Sequence, residues 1–314
     1  AIRSRGLGDV YKRQAYAVLA AARSKRGPLE LEVAERVFQM NADRTRITGV
    51  APRARLDAHR LIEDFMIAAN VAAAETLTDR LAPCLFRVHD TPDPARVESL
   101  AGVLAEMGIK ASPNAITRPS QFTELVRKAE GTDYAALVSE LVLRAQAQAV
   151  YHPENIGHFG LALARYAHFT SPIRRYSDLV VHRSLIQTLR LGSGGLPADA
   201  GDRLHDVAAH ISMTERRAAA AERQVQERFA AAYLEDQVGQ VFTARVTGLH
   251  KAGVFVRVEE AGAEGLVPRA LLPDDFWDHD PGRHLLIGRR TGLEFRLGDA
   301  LEVVLRAAEP ISGG

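Results

Sequence analysis

The chain has 314 residues, and its 40 Lys and Arg against 39 Asp and Glu give a formal net charge of +1. This balance excludes a basic field over the whole surface, so affinity for an anionic polymer must come from a local groove. A chain of this length buries a substantial core and is predicted to hold two domains, one large and one small.

The single cysteine, Cys84, excludes an intrachain disulfide and favours a reducing compartment. No apolar run reaches the roughly 18 to 20 residues that span a bilayer, so we expect a soluble protein with no membrane partner. Basic residues up to Arg13 and the apolar residues 15–22 resemble the start of a signal peptide, but three more basic residues at 23–26 stand where cleavage would occur. We therefore expect a cytoplasmic protein.

The first fourteen residues differ from the rest of the chain. Residues 9–14 read Asp-Val-Tyr-Lys-Arg-Gln, which looks like the in-frame translation of a transposon end used in preparing sequencing libraries. We hypothesise that residues 1–14 are a non-native or disordered leader and that the chain is a truncated reading frame; a natural disordered arm is the alternative. Long-read resequencing that found an uninterrupted native gene encoding residues 9–14 would refute the hypothesis.

Residues 15–236 have the pattern of one compact, helix-rich domain. A helix end at 15–24 is broken by Gly27 and Pro28, and a short strand through Leu29, Leu31 and Val33 is followed by polar, strand-like chain at 38–50. Apolar residues at helical spacing then predict helices over 55–80, 92–108, 121–131, 135–149, from Pro172 to Leu189, and 202–237.

From Val238 onward, β-branched and aromatic residues alternate with polar ones, and glycines separate the runs. Five short strands in about 70 residues predict a small barrel. We place this second domain at residues 237–308, followed by a tail at 309–314.

The most informative segment is residues 168–183, which read His-Phe-Thr-Ser-Pro-Ile-Arg-Arg-Tyr-Ser-Asp-Leu-Val-Val-His-Arg. Thr170 or Ser171 is predicted to cap a helix whose first residue is Pro172, leaving amide hydrogens free to bind an anion. Arg174 and Arg175 then lie in the first turn, where positive charge is unfavourable unless an anion binds there. A bound phosphate would accept hydrogen bonds from these amides and would offset the charges of the two arginines.

This segment, together with Tyr151–Asn155 and Gly157–Leu161, resembles the signature of the ribonuclease II and ribonuclease R family, and ribonuclease R is the closer match. The barrel segments 246–248, 253–256 and 264–268 resemble an S1 domain, an oligonucleotide-binding barrel that grips single-stranded RNA. The resemblance implies an α+β chain: the helix-rich carboxy-terminal part of an RNB catalytic domain followed by a five-stranded S1 (OB-fold) β-barrel. It also implies hydrolysis of single-stranded RNA from the 3′ end, one nucleotide at a time.

The resemblance implies roles for several residues of the helical domain. Arg174 corresponds to a phosphate-binding arginine and is our first choice for catalysis, with Glu215 as a glutamate near the active site. His168, Thr170 and Ser171 are predicted to contact substrate. Arg175 is predicted to do so too, with a structural role as the alternative, and His168 and His182 have the alternative of being satisfied core imidazoles.

A second segment, residues 61–70, matches a stretch of the family in which an acidic residue faces the terminal ribose. We favour Glu63 over Asp64 for that contact, since a carboxylate accepting bonds from both hydroxyls explains a preference for RNA. Asn70, seven residues further along the helix, is predicted either to fix that carboxylate or to bond across helices.

In the barrel, Phe242 and Phe255 are candidate stacking platforms, with a core role as the alternative for each. Lys251, Arg257 and His250 are candidate phosphate contacts. Ala252 stands where many S1 domains have an aromatic residue, which predicts weaker stacking.

The family holds magnesium with an Asp-x5-Asp-x-Asp-Asp cluster, and this chain has no such pattern. The densest acidic group, at residues 274–280, lacks the glycine and terminal glutamate of a calcium loop, so we expect no metal site in the chain. We therefore expect a monomeric fragment of a magnesium-dependent 3′-to-5′ exoribonuclease that is inactive alone. The alternative is a non-enzymatic RNA-binding protein that uses the barrel.

Overall fold

A computed structural model of the chain describes residues 7–31, 35–281 and 284–311. The helices of the described residues are α1 Leu7–Arg26, α2 Asp57–Thr78, α3 Pro94–Glu106, α4 Pro119–Ala129, α5 Ala135–Ala145, α6 Tyr176–Leu189 and α7 Leu204–Leu234. None of these helices combines the length and the apolar character needed to cross a membrane.

The strands of the described residues are β1 Arg36–Met40, β2 Ile47–Pro52, β3 Phe86–Val88, β4 Val150–His152, β5 Val241–His250, β6 Gly253–Val258, β7 Glu264–Pro268, β8 Trp277–Asp280, β9 Leu285–Gly288, β10 Glu294–Arg296 and β11 Ala300–Val304. Two small antiparallel pairs, β1–β2 and β3–β4, belong to the helical region. The remaining strands form a four-stranded sheet in the order β11-β5-β6-β7 and a three-stranded sheet in the order β10-β9-β8. The predicted helix-rich region followed by a small β-domain is confirmed, although the strands of that β-domain form two sheets with more strands than predicted.

Most helices predicted from apolar spacing occur within a few residues of the expected positions. The predicted strand at Leu29 and Leu31 is wrong, because both residues lie in irregular chain; Val33 is outside the described residues. Helix α1 extends back to Leu7, so residues 7–14 are helical rather than disordered, and residues 1–6 are outside the described residues. That the leader is non-native stays a prediction.

The β-domain shares its core with the helical region. Val103 of α3 and Leu137 of α5 belong to the same buried cluster as the barrel residues Val246, Trp277 and Phe295. Because these apolar side chains bury one another, the two regions stabilise each other.

Ion pairs lie beside this shared core. Arg257 Nη1 is 2.7 Å from Glu140 Oε2, and Arg296 Nη1 is 2.9 Å from Glu106 Oε2. Each pair joins the β-domain to the helical region at the edge of the shared core.

Candidate RNA-binding site

The signature segment forms a turn before its helix. Helix α6 begins at Tyr176, and the amides of Arg174 and Arg175 donate to the Ser171 carbonyl at 3.3 and 3.1 Å. The predicted helix start at Pro172, capped by Thr170 or Ser171, is therefore wrong. Arg174 and Arg175 precede the helix, so their charges do not lie within its first turn.

Asp178, in the first turn of α6, explains this geometry. Its carboxylate is fully buried, and Oδ1 accepts from the Ser171 amide at 2.7 Å and from Arg175 Nη2 at 2.8 Å. Oδ2 accepts from the Ser177 hydroxyl at 3.1 Å. Burial alone would raise the pKa of Asp178, but the hydrogen bonds from Arg175 and the Ser171 amide outweigh it and lower that pKa. Asp178 thus supplies, from within the chain, the negative charge that a bound anion was expected to bring to this helix start.

The segment before the turn is also fixed by buried side chains. The Phe169 amide donates to Asn70 Oδ1 at 2.8 Å, and His182 Nε2 donates to the Phe169 carbonyl at 2.7 Å. The rings of Phe169 and His182 stack with centroids 4.2 Å apart. Asn70 also donates from Nδ2 to the Tyr166 hydroxyl at 2.9 Å. These contacts give the segment a single backbone path.

Asn70 and His182 are therefore structural. Asn70 is 2% exposed, and its hydrogen bonds go to Tyr166 and Phe169 in irregular chain, so neither bond is the predicted one to the carboxylate or to another helix. His182 is hydrogen-bonded to the Phe169 carbonyl, which agrees with the alternative prediction that it is a satisfied imidazole of the core.

Arg174 has a different environment from its neighbours. Its side chain is exposed, and within the described part of the chain it has no hydrogen-bond or ion-pair partner. Thr170 Oγ1 and Arg175 Nε are buried, and these two atoms likewise lack hydrogen-bond partners in the part of the chain that the structure describes. The turn therefore presents one free guanidinium on a backbone that is held on both sides, an arrangement suited to binding an anion.

A second polar network connects α7 to the signature segment. Glu215 Oε2 accepts from Arg87 Nη1 at 2.6 Å, and the Arg87 guanidinium lies over the Tyr151 ring, 4.7 Å from its centroid. The Tyr151 hydroxyl lies 2.9 Å from His168 Nδ1. The structure thus brings Glu215 and His168, which were predicted as site residues, into one chain of contacts.

His168 is a neutral member of this network. Burial, with help from the charges of Arg175 and Arg87, lowers the pKa of His168 to about 3. It therefore carries no charge for a phosphate near neutral pH, and its ring also packs edge-on against Tyr166 at 5.7 Å.

The sequence interpretation missed Arg87, Tyr151 and Asp178 as site residues. Arg87 had a signal, since it is a charged residue inside the short apolar run Leu85–Val88. Asp178 had one too, because an acidic residue in a first turn is typical of a helix start. Tyr151 lies in a segment that carried the family resemblance, yet nothing in its spacing indicated a contact with His168.

The two acidic residues of α2 lie in contrasting surroundings. Glu63 is about half exposed and is paired with Arg55 at 2.5 Å. Asp64 is 5% exposed; its Oδ1 lies 3.0 Å from Arg23 Nη1, and its buried Oδ2 has no hydrogen-bond partner among the described residues. The protein therefore encloses Asp64, whereas the Glu63 carboxylate lies at the surface.

The two barrel phenylalanines lie on opposite sides of the sheet. Phe255 is 43% exposed on β6, where it pairs in register with Leu266 of β7. Phe242 is 6% exposed and packs with Ala230 and Leu234 of α7, so the prediction that it stacks on bases is wrong. The signal was present, because Phe242 alternates with two apolar residues that are also buried, at positions 244 and 246.

The predicted cations of the barrel also differ from one another. Lys251 is exposed in the turn after β5 and lacks a partner among the described residues. Arg257 is bound between Glu140 and Glu264, and His250 Nδ1 accepts from the Ala252 amide at 3.2 Å. Lys251 is thus the most available of the three for a phosphate.

The acidic residues do not fit a magnesium centre. The described residues contain no group of three or more His, Cys, Asp or Glu side chains that could hold a metal ion. In the 274–280 segment, Asp275 accepts from the amides of Phe276, Arg290 and Thr291, and Asp278 pairs with Arg289. These two carboxylates hold the barrel's own loops.

Comparison with known proteins identifies both regions. The RNB domain model matches residues 12–191, more than half of the chain, and the S1 RNA binding domain model matches residues 235–295. Ribonuclease R of Escherichia coli K12 is 38% identical over 300 residues, covering 93% of this chain and 37% of that protein. Ribonuclease R of Aquifex aeolicus is 40% identical over 291 residues, covering 92% of this chain and 41% of that protein.

Solved structures agree with these relatives. RNase R of Mycoplasma genitalium, in complex with ribose-methylated single-stranded RNA, has a TM-score of 0.86 and 26% identity, covering 95% of this chain and 47% of that one. Yeast Ssd1, described as a pseudonuclease, has a TM-score of 0.60 at 22% identity and shares the fold. The chain spans about two fifths of the length of the curated relatives it matches. The chain belongs to the ribonuclease R and ribonuclease II family, with an RNB domain followed by an S1 domain.

Proposed function

We propose that this chain supplies the RNA-holding part of a 3′-to-5′ exoribonuclease that hydrolyses single-stranded RNA to 5′-mononucleotides. The observation that carries the proposal is the exposed Arg174, which has no partner among the described residues, on a turn fixed by contacts from the buried side chains of Asp178 and Asn70. The ribonuclease R relatives and the RNA-bound Mycoplasma protein support it. We further propose that the chain is cytoplasmic and monomeric.

Arg174 is assigned to the scissile phosphate. A planar guanidinium binds two phosphate oxygens at once, which orients the phosphate and offsets charge that develops on it in the transition state. Because its backbone is already held, little ordering remains to be done when RNA binds. Arg175, already bound to Asp178, is assigned a structural role.

For the ribose contact we propose Glu63 rather than Asp64. The Glu63 carboxylate lies at the surface, paired with Arg55, where it can also accept from a ribose hydroxyl, including the 2′-hydroxyl that distinguishes RNA from DNA. Asp64 is 5% exposed and bound to Arg23, so its carboxylate is enclosed by the protein.

We propose that the chain alone binds RNA and does not cut it. Hydrolysis of the kind that the family resemblance implies needs carboxylates converging on magnesium, and the described residues do not provide that group. Magnesium is therefore assigned to the intact enzyme.

The test is incubation of the purified chain with end-labelled single-stranded RNA and Mg²⁺, with Arg174→Ala in parallel. Bound, uncut RNA is expected. Release of 5′-mononucleotides that Arg174→Ala abolishes would contradict the proposed inactivity, whereas release unaffected by that substitution would indicate a contaminant.

A second candidate is a non-enzymatic RNA-binding protein in which the barrel does the binding and the helices form a scaffold. The exposed face containing Phe255, Leu266 and Lys251 favours it. The two functions differ in one measurement: Phe255→Ala weakens RNA binding in both, whereas Arg174→Ala does so only if the signature turn holds RNA.

A further inference from the structure

We infer that Asp178 is a positioning residue that determines where Arg174 meets the RNA phosphate, an inference that rests on the proposed function. Asp178 is fully buried and does not reach the surface. Its carboxylate nevertheless binds groups on both sides of Arg174 in the chain: the Ser171 amide before it, and the Arg175 side chain after it.

The turn depends on this carboxylate because its own backbone bonds are weak. The Arg174 amide reaches the Ser171 carbonyl at 3.3 Å and the Arg175 amide at 3.1 Å, at or near the long end of the usual range. The two bonds from Asp178 to the ends of the turn are shorter, at 2.7 and 2.8 Å, and both involve an ionised group. Charge-assisted bonds of this length are the stronger ones, so Asp178 sets the separation of Ser171 and Arg175.

Asp178 also decides which arginine is free. The buried carboxylate occupies Nη2 of Arg175, and no described residue occupies Arg174. Without that charge, two adjacent guanidinium groups would compete for one phosphate, and Arg174 would lose its defined position. The effect of Arg174 on binding should therefore depend on the charge of Asp178.

The experiment is a double-mutant cycle on the whole chain, measuring affinity for a short single-stranded oligoadenylate by fluorescence anisotropy at several salt concentrations. Loss of one charged phosphate contact costs about tenfold in affinity, so Arg174→Ala is expected to weaken binding about tenfold. It should also reduce the slope of log affinity against log salt by about 1.

Asp178→Asn is nearly isosteric and is expected to give a similar, roughly tenfold loss, after which Arg174→Ala should add less than about twofold. The matched control is Asp79→Asn, the same charge change at an exposed carboxylate paired with Arg165, where the full effect of Arg174→Ala should persist. If Asp178 contributes only to stability, Asp178→Asn should lower the melting temperature, but in the folded protein Arg174→Ala should still weaken RNA binding about tenfold.

Ser177→Ala covers the case in which Asp178→Asn does not fold. It keeps the charge but removes the bond that holds Oδ2 of Asp178, so the carboxylate is oriented less firmly and its Oδ1 holds Ser171 and Arg175 less well. In that background Arg174→Ala should cost about threefold rather than about tenfold. If Arg174→Ala still weakens RNA binding about tenfold in the Asp178→Asn background, the inference is wrong and the proposed function stands. If Asp178→Asn is unfolded, the same result in the Ser177→Ala background has the same meaning. If Arg174→Ala has no effect in the unmodified chain, both fail together.

Discussion

Arg174 and Arg175 are consecutive residues, yet among the described residues only Arg175 has a side-chain partner. Arg175 Nη2 lies 2.8 Å from the buried Asp178, whereas Arg174 is exposed without a partner in the described part of the chain. The same residue type thus has a structural role at one position and is available for ligand at the next. Substitutions should separate the two roles.

Arg175→Ala should reduce the free energy of unfolding by about 3 kcal/mol, because it leaves the Asp178 carboxylate buried and unpaired. Arg174→Ala should change it by less than about 0.5 kcal/mol, since an exposed side chain without partners is lost. Urea unfolding followed by circular dichroism measures both. Equal destabilisation by the two variants would show that the assigned roles are wrong.

Asn70→Ala should cost roughly 2 to 3 kcal/mol of stability, because it leaves the partly buried Phe169 amide without an acceptor and removes the buried bond to Tyr166. Tyr166→Phe is the matched control, since it removes only the hydroxyl that accepts from Asn70 and should cost about 1 kcal/mol. The same unfolding assay applies. A loss for Asn70→Ala no larger than that for Tyr166→Phe would contradict the account of Phe169.

Stability should decrease as the pH falls below about 6.5. Burial lowers the pKa of His158 and of His168 from 6.5 to about 3, so between these values the unfolded chain binds more protons than the folded chain. Each histidine should then contribute a slope of about 1.4 kcal/mol per pH unit, with stability lost toward acid pH.

In His168→Phe, about one proton fewer should be taken up on unfolding between pH 4 and 6. The slope of the unfolding free energy against pH should therefore be lower by about 1.4 kcal/mol per pH unit. Unfolding free energies measured across that range test this, and His59→Phe, at an exposed residue of α2, is the control. An unchanged slope in His168→Phe would mean that His168 titrates normally in the folded protein.

In the barrel, Phe255→Ala should weaken RNA binding by about tenfold with little loss of stability, because an exposed aromatic that stacks on a base contributes roughly 1 to 3 kcal/mol. Phe242→Ala should instead lower stability by about 3 kcal/mol through the cavity it leaves against α7. RNA affinity, measured by fluorescence anisotropy, should change mainly in Phe255→Ala, and the free energy of unfolding mainly in Phe242→Ala. Weaker RNA binding by a folded Phe242→Ala variant would show that Phe242 contacts RNA.

The sequence was sufficient for the helices and for the family, because periodic apolar residues and the run from His168 to Arg183 depend on local order along the chain. It was insufficient for the start of α6, where the usual cap signals at Thr170 to Pro172 were overridden by a contact from Asp178, 7 residues after Ser171. Local preferences give way when a buried charge must be satisfied.

The site residues divide in the same way. Arg174 could be predicted from its motif as the phosphate-binding residue, and its exposed side chain agrees with that prediction. The contrast between Glu63 and Asp64 was not visible in the sequence, because neighbouring helix residues differ in burial only once α1 packs against α2 and Arg23 reaches Asp64. Arg87 and Glu215 meet across 128 residues of chain, a distance that no local pattern spans.

A crystal structure of the whole chain bound to a short single-stranded oligoadenylate would show directly whether Arg174 holds RNA. A phosphate is expected within hydrogen-bond distance of the Arg174 guanidinium, with Arg175 still bound to Asp178. RNA bound only on the Phe255 face of the barrel, with Arg174 free, would contradict this expectation.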